Sequence, residues 1–163
     1  MIPISSADTT KVRCTITYQN SLSFGIVSMF MNAFSRWIDE IARHPNTVVL
    51  GDFNIAPEDR DVHDPEAWRG EVLCSEPERV ALQRITDLGL CDCYRQMEQP
   101  EQQFSWFDYR AASFRRNRGL RIDLILASAP LLQHCRNSSI DLEPRGWERP
   151  SDHAPVLAEF DLA

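Results

Sequence analysis

Residues 47–54, Thr47-Val48-Val49-Leu50-Gly51-Asp52-Phe53-Asn54, run a short apolar segment straight into an aspartate and an asparagine. The TVVLG part reads as a buried strand, β-branched and apolar, with Pro45 before it and Gly51 at its end. A carboxylate at the margin of such a strand is costly to desolvate unless it is paired, hydrogen-bonded or bound to a cation. Two further segments repeat the pattern: RIDLILAS, with Asp123 inside an apolar run, and SDHAPVLAEF, with Asp152 and His153 at its head. One such residue is ordinarily a satisfied structural aspartate. Three in one chain predict strand ends gathered at one rim of a sheet, where folds of helices and strands collect a site.

Other elements follow outward from these three. Phe30, Phe34, Trp37, Ile38 and Ile41 mark one face of a helix that Pro45 stops. Weak alternation at Val12, Cys14, Ile16 and Tyr18 allows one earlier strand. Residues 55–73 are acidic and contain proline, which predicts a long surface loop. Ser75 and Glu78 have capping-box spacing, Pro77 lies in the first turn, and Val80, Leu82, Ile85 and Leu88 supply apolar positions before Gly89 ends the helix. A helical turn is expected at Ala129–Cys135 and a strand at Ser139–Leu142. Strands alternating with helices early and clustering late predict an α+β fold, a mixed β-sheet with helices on one face.

At 163 residues the chain suits one domain. It has 43% hydrophobic and 25% charged residues, and no apolar run of the roughly 20 residues a membrane span needs. A net charge of −7 argues against indiscriminate attraction to nucleic acid. Lys11 is the only lysine, so any cationic surface is built of arginine forks that grip phosphate in pairs of hydrogen bonds; base composition of the gene is an ordinary source of that bias. Five cysteines without a CxxC pair suggest reduced core thiols rather than a disulfide framework or a zinc site. Residues 21–34 lack the basic flank and cleavage site of a signal peptide, so a cytoplasmic location is expected.

Carboxylates, an amide and one imidazole suit Mg2+ or Mn2+ better than zinc. Phosphoester hydrolysis asks for that set: an activated water, a cation, and a hydrogen-bonding group at the phosphate. GDFNIAPEDRDV, FSWFDYR, NRGLRIDLILAS and PSDHAPV, in this order and spacing, resemble the C-terminal half of the endonuclease/exonuclease/phosphatase family in its exonuclease III branch. The likeness runs from about Met29 to Phe160, with residues 1–28 left unassigned. It implies half of that family's four-layer α/β sandwich and an enzyme that cuts DNA phosphodiesters at abasic sites and 3′ ends.

Carried over by motif, the resemblance implies that Asp52 activates water and Asn54 bonds the scissile phosphate. His153 would contact that phosphate, held by Asp123, and Asp152 would serve the metal, with Asp52 and Asn54 nearby. Trp106, Leu120 and Ile122 match an apolar pocket for an extruded abasic sugar, though core packing explains each singly. Arg110, Arg115, Arg116, Arg118 and Arg121 form the one basic stretch, placed to grip DNA backbone if it is not simply a solvated loop. Trp106 and these arginines favour DNA over a small phosphoester.

The sequence departs from the family where the N-terminal half should stand. No counterpart of that half's Gln-Glu motif, which supplies the principal metal carboxylate, is present, and the first glutamate is Glu40. Two readings follow: an exonuclease III-type enzyme in truncated form, or an inactive remnant that binds DNA or a partner protein. RIDLILAS is apolar on both faces, so its second face is expected to lie bare without the other half's sheet, causing self-association or dependence on a complementary N-terminal half.

Overall fold

The structure, a computed structural model, describes residues 10–13 and 44–162. The predicted helix with its apolar face over residues 30–41 lies outside them, as do Cys14, Ile16 and Tyr18 of the predicted early strand. Of that strand, Thr10–Arg13 (β1) is described.

The TVVLG segment forms β2 (Val48–Asp52), and RIDLILAS forms β4 (Asp123–Ser128), buried at every position. They pair antiparallel with Val49 opposite Leu126 and Asp52 opposite Asp123. Leu90–Asp92 (β3) pairs with the far edge of β4. A second sheet has the order β1, β6 (Val156–Phe160), β5 (Cys135–Ile140), again antiparallel. The fold is α+β; among the described residues its strands divide between two three-stranded antiparallel sheets rather than joining one mixed sheet.

Helix α1 (Glu76–Thr86) begins as its sequence predicts. Ser75 and Glu78 close a capping box, satisfying end donors that would otherwise be orphaned, and Gly89 leaves the helix at φ +90°. Leu82 and Ile85 pack with Val49, Phe53, Ile55, Leu90, Leu124 and Leu126. Val80, two residues before Leu82 and therefore about 200° around the helix, is 41% exposed instead of joining that face. The short helix α2 (Ala129–Leu132) brings Leu131 to the opposite core. None of the described helices is long and apolar enough to cross a membrane.

That opposite core overturns the expectation of a bare sheet face. Ile125 and Ala127 of β4 pack against Ile140, Val156, Ala158 and Phe160 of β5 and β6. The chain's own C-terminal strands supply the cover, because Val156, Ala158 and Phe160 alternate inward along β6. The 55–73 segment is likewise less superficial than its polarity suggests: Ile55, Ala56, Asp61 and Val62 are buried. Asp61 is drawn inward by an ion pair with Arg121.

Candidate active site

The β2–β4 register sets Asp52 directly across from Asp123 at the end of the ladder. His153 arrives from the segment before β6, where Trp106 bridges to both Leu120 and His153. The three motifs thus meet at one rim, as their polar strand ends predicted.

His153 is the centre of the group. Its Nδ1 lies 3.0 and 3.1 Å from the two oxygens of Asp123, and its Nε2 is 3.9 Å from Asp52 Oδ2. Burial alone would push the imidazole toward its neutral form. The hydrogen bond and charge of Asp123, with the charges of Asp52 and Asp152, outweigh that and raise it above its ordinary 6.5. Asp52 is pushed up to about 6, first by burial and then by the charge of Asp123, while the N–H of Asn54 and the imidazole pull the other way. A carboxyl near 6 is ionised at neutral pH yet basic enough to take a proton from water.

Asn54 follows Asp52 in a left-handed conformation, φ +53°, which asparagine tolerates better than most residues. Its N–H donates to Asp52 Oδ1 at 2.9 Å, and its side chain is partly exposed beside the pair. Trp106 Nε1 donates to Asp152 Oδ2 at 3.1 Å, joining the FSWFDYR and SDH motifs. Asp152 is held a second way, its carbonyl accepting from the Phe107 N–H at 2.9 Å.

Ser105 belongs to this arrangement although nothing in the sequence singled it out. Fully buried, its hydroxyl accepts the N–H groups of both Ile122 and Asp123 at 3.1 Å, and its carbonyl accepts from Ala154 at 2.6 Å. It ties the Asp123 strand to the His153 segment. The available signal was a small hydroxyl residue inside the aromatic run FSWF.

Other expected site residues separate into two groups. Leu120 and Ile122 are buried with Ala56, Val62 and Cys74, and Trp106 stands partly open beside that cluster, as do Trp68 and Leu73. They act as core, so Leu120 is not open to a ligand. Arg121 is also removed from the DNA-facing group: it is 1% exposed, with Nε 2.6 Å from Asp61, Nη1 2.8 Å from Asp92, and its guanidinium 5.1 Å from the Tyr94 ring centroid. Arg95 pairs with Asp61 as well. Arg110 is exposed but bound to Asp108. Arg115, Arg116 and Arg118 are exposed on the turn 113–118 and make no ion pair with a described residue.

Asp52, Asn54 and Asp152 offer hard oxygen donors. Among the described residues, however, no three His, Cys, Asp or Glu side chains come together where one ion could be held.

Comparison with known proteins agrees with the geometry. The family model described as Endonuclease/Exonuclease/phosphatase family matches residues 30–153. Exodeoxyribonuclease III of Haemophilus influenzae is 43% identical over 120 residues, covering 69% of this chain and 45% of that protein. A Neisseria 3′ phosphatase, NExo, bound to product DNA hairpin superposes with a TM-score of 0.82 at 46% identity, over 88% of this chain and 56% of the other. An AP endonuclease from Archaeoglobus fulgidus gives 0.77 at 34% identity, over 83% and 53%. The chain spans about half the length of the curated relatives it matches.

Proposed function

The chain belongs to the endonuclease/exonuclease/phosphatase family, and from that premise we propose that it carries the water-activating and phosphate-facing part of a DNA phosphodiester hydrolase of exonuclease III type. The observation that carries the reading is His153 held between Asp123 and Asp52 at a rim that Trp106 and Asp152 also share. Double-stranded DNA with abasic sites or 3′ ends is the substrate it suits, with Trp106 facing the sugar and the free arginines of the 113–118 turn on the backbone.

In this reading Asp52 orients the attacking water and removes its proton. Attack on phosphorus builds negative charge on the non-bridging oxygens. The Asn54 amide and the protonated His153 imidazole meet that charge, and Asp123 holds the ring in place through Nδ1 so that Nε2 faces the phosphate. Ser105 keeps Asp123 in register with the ring. A divalent cation, Mg2+ or Mn2+, supplies further charge neutralisation in this family; Asp152, Asp52 and Asn54 would hold it here only together with ligands beyond the described residues.

The shortage of metal ligands favours one second reading, a DNA- or partner-binding remnant without catalysis. Incision of an abasic-site duplex in Mg2+ separates the two. The chain is assayed alone, as Asp52→Asn, and mixed with the N-terminal half of the Haemophilus relative. Incision abolished by Asp52→Asn, whether alone or in the mixture, supports the enzyme. Absence of incision in both conditions overturns it in favour of the remnant.

A further inference from the structure

Arg145 has no place in the chemistry above, yet its surroundings are unusual for an arginine. It lies in the 3₁₀ turn Glu143–Gly146, upstream of the SDH motif, and is 5% exposed. Its Nε and Nη1 are enclosed with no hydrogen-bond partner among the described residues. Two enclosed guanidinium nitrogens without hydrogen bonds are costly, so another attraction must offset them.

Three aromatic rings surround it. The guanidinium carbon is 5.8 Å from the Phe107 ring centroid, 5.7 Å from Tyr109 and 5.1 Å from Phe114. Those rings come from two different segments. Phe107 and Tyr109 follow Trp106 in the chain, while Phe114 opens the turn that displays Arg115 and Arg116. Phe107 and Phe114 also meet edge to face at 5.1 Å, and the Tyr109 hydroxyl donates to the Pro150 carbonyl at 3.0 Å. Burial lowers the Arg145 pKa, with the charges of Tyr109 and Asp152 acting against it. The cation is therefore retained for its stacking, since planar guanidinium on ring faces is the attraction this setting offers.

We infer that Arg145 is a positioning residue for nucleic acid: its ring-stacked guanidinium pins the arginine turn 113–118 to the segment bearing Asp152 and His153, and so fixes where Arg115, Arg116 and Arg118 meet a phosphate backbone. The inference rests on the DNA-binding reading above. Apart from Phe114, the turn has few anchors: the Ser113 hydroxyl donates to the Arg110 carbonyl and the Asn117 side chain to Gln102. Without Arg145 the turn keeps its sequence, its charge and the Phe107–Phe114 contact but loses its tie to the segment that leads to Asp152 and His153.

The test uses the full chain as wild type, Arg145→Met and Arg145→Lys. Methionine keeps apolar volume in the cage without charge or planarity; lysine keeps charge alone and still reports if the methionine variant fails to fold. Limited trypsin digestion, followed by mass spectrometry, reads the turn directly. Cleavage after Arg115, Arg116 and Arg118 should accelerate about tenfold in Arg145→Met, while the global melting midpoint moves little. Fluorescence anisotropy with a labelled abasic-site duplex should show affinity falling by a similar factor, about tenfold, with the lysine variant between. Unchanged cleavage at the turn overturns the inference, as does unchanged DNA affinity in a variant whose parent binds. Faster cleavage in a variant whose wild-type parent binds no DNA confirms the pin and removes the DNA-binding reading instead.

Discussion

Replacing Asp52 by asparagine should stabilise the protein while removing its proposed chemistry. The Asp52 carboxyl moves from 3.8 to about 6 on folding. At about 1.4 kcal/mol per pH unit, keeping it ionised at neutral pH costs the fold about 3 kcal/mol. Asparagine is neutral and isosteric, and its side-chain oxygen can still accept the Asn54 N–H, a bond now at 2.9 Å. The attraction of the imidazole 3.9 Å away is already contained in that shift, so the gain should be about 3 kcal/mol, or roughly 6–12 °C in melting midpoint for a chain of this size. The sign follows from proton counting. Between 3.8 and about 6 the native state binds more protons at Asp52 than the unfolded chain, so wild-type stability falls as pH rises through that window. His153, raised above 6.5, adds stability that is present below 6.5 and is lost as pH climbs through its folded value, a separate and higher window. Urea titrations at pH 4, 5.5 and 7.5 on both proteins would therefore show a gap that is small at pH 4 and full by 7.5. A variant less stable than wild type at pH 7.5, or a gap that does not change with pH, would refute the reasoning.

Removing the buried cation by Arg121→Met should take one partner from Asp61, leaving it Arg95, and the pair from Asp92, and cost about 3–5 kcal/mol in urea denaturation, without altering the salt dependence of DNA binding. Arg116→Ser, by contrast, should leave stability within about 0.5 kcal/mol and flatten the slope of log affinity against log salt by about 1; an unchanged slope would take Arg116 off the phosphate backbone. Gly119→Ala places a Cβ 2.6 Å from Phe104 and 2.7 Å from the Trp106 carbonyl, so a melt should show a loss of about 1–3 kcal/mol together with altered tryptophan fluorescence. His153→Gln removes the imidazole that Asp123 holds and should cost about 1–3 kcal/mol at pH 6, and less as pH climbs through the imidazole's raised folded value.

Much of this was legible because it is local. The strand in TVVLG, the Ser75–Glu78 cap and the strand in RIDLILAS each depend on neighbours within a few residues, and each appears where its pattern puts it. The meeting of Asp52, Asp123 and His153 was legible for another reason: a polar group ending an apolar strand has few inexpensive places to go. The bare second face of β4 failed as an expectation because covering it is a long-range event. Strand β5 is too polar at Arg136 and Asn137 to declare an inner face, yet it completes the core with β6. Arg121 was misplaced by weighing the charge run over strand alternation. It shares the parity of Asp123 and Ile125, which already pointed it inward toward Asp61 and Asp92. Arg145 carried no signal at all, since its ring partners are distant in sequence.

The facing aspartates of β2 and β4 also bear on how the sheet assembles. Asp52 shares a strand face with Val48 and Leu50, and Asp123 shares one with Ile125 and Ala127, while Val49, Leu124 and Leu126 look the other way into the α1 core. Sliding β2 by one residue against β4 would turn Asp52 into that helix-covered core among leucines and isoleucines. Among the described residues that core is made of apolar side chains. Residues kept for reactivity thereby proofread the pairing of the sheet, because a misthreaded chain must bury an ion in oil before it can close.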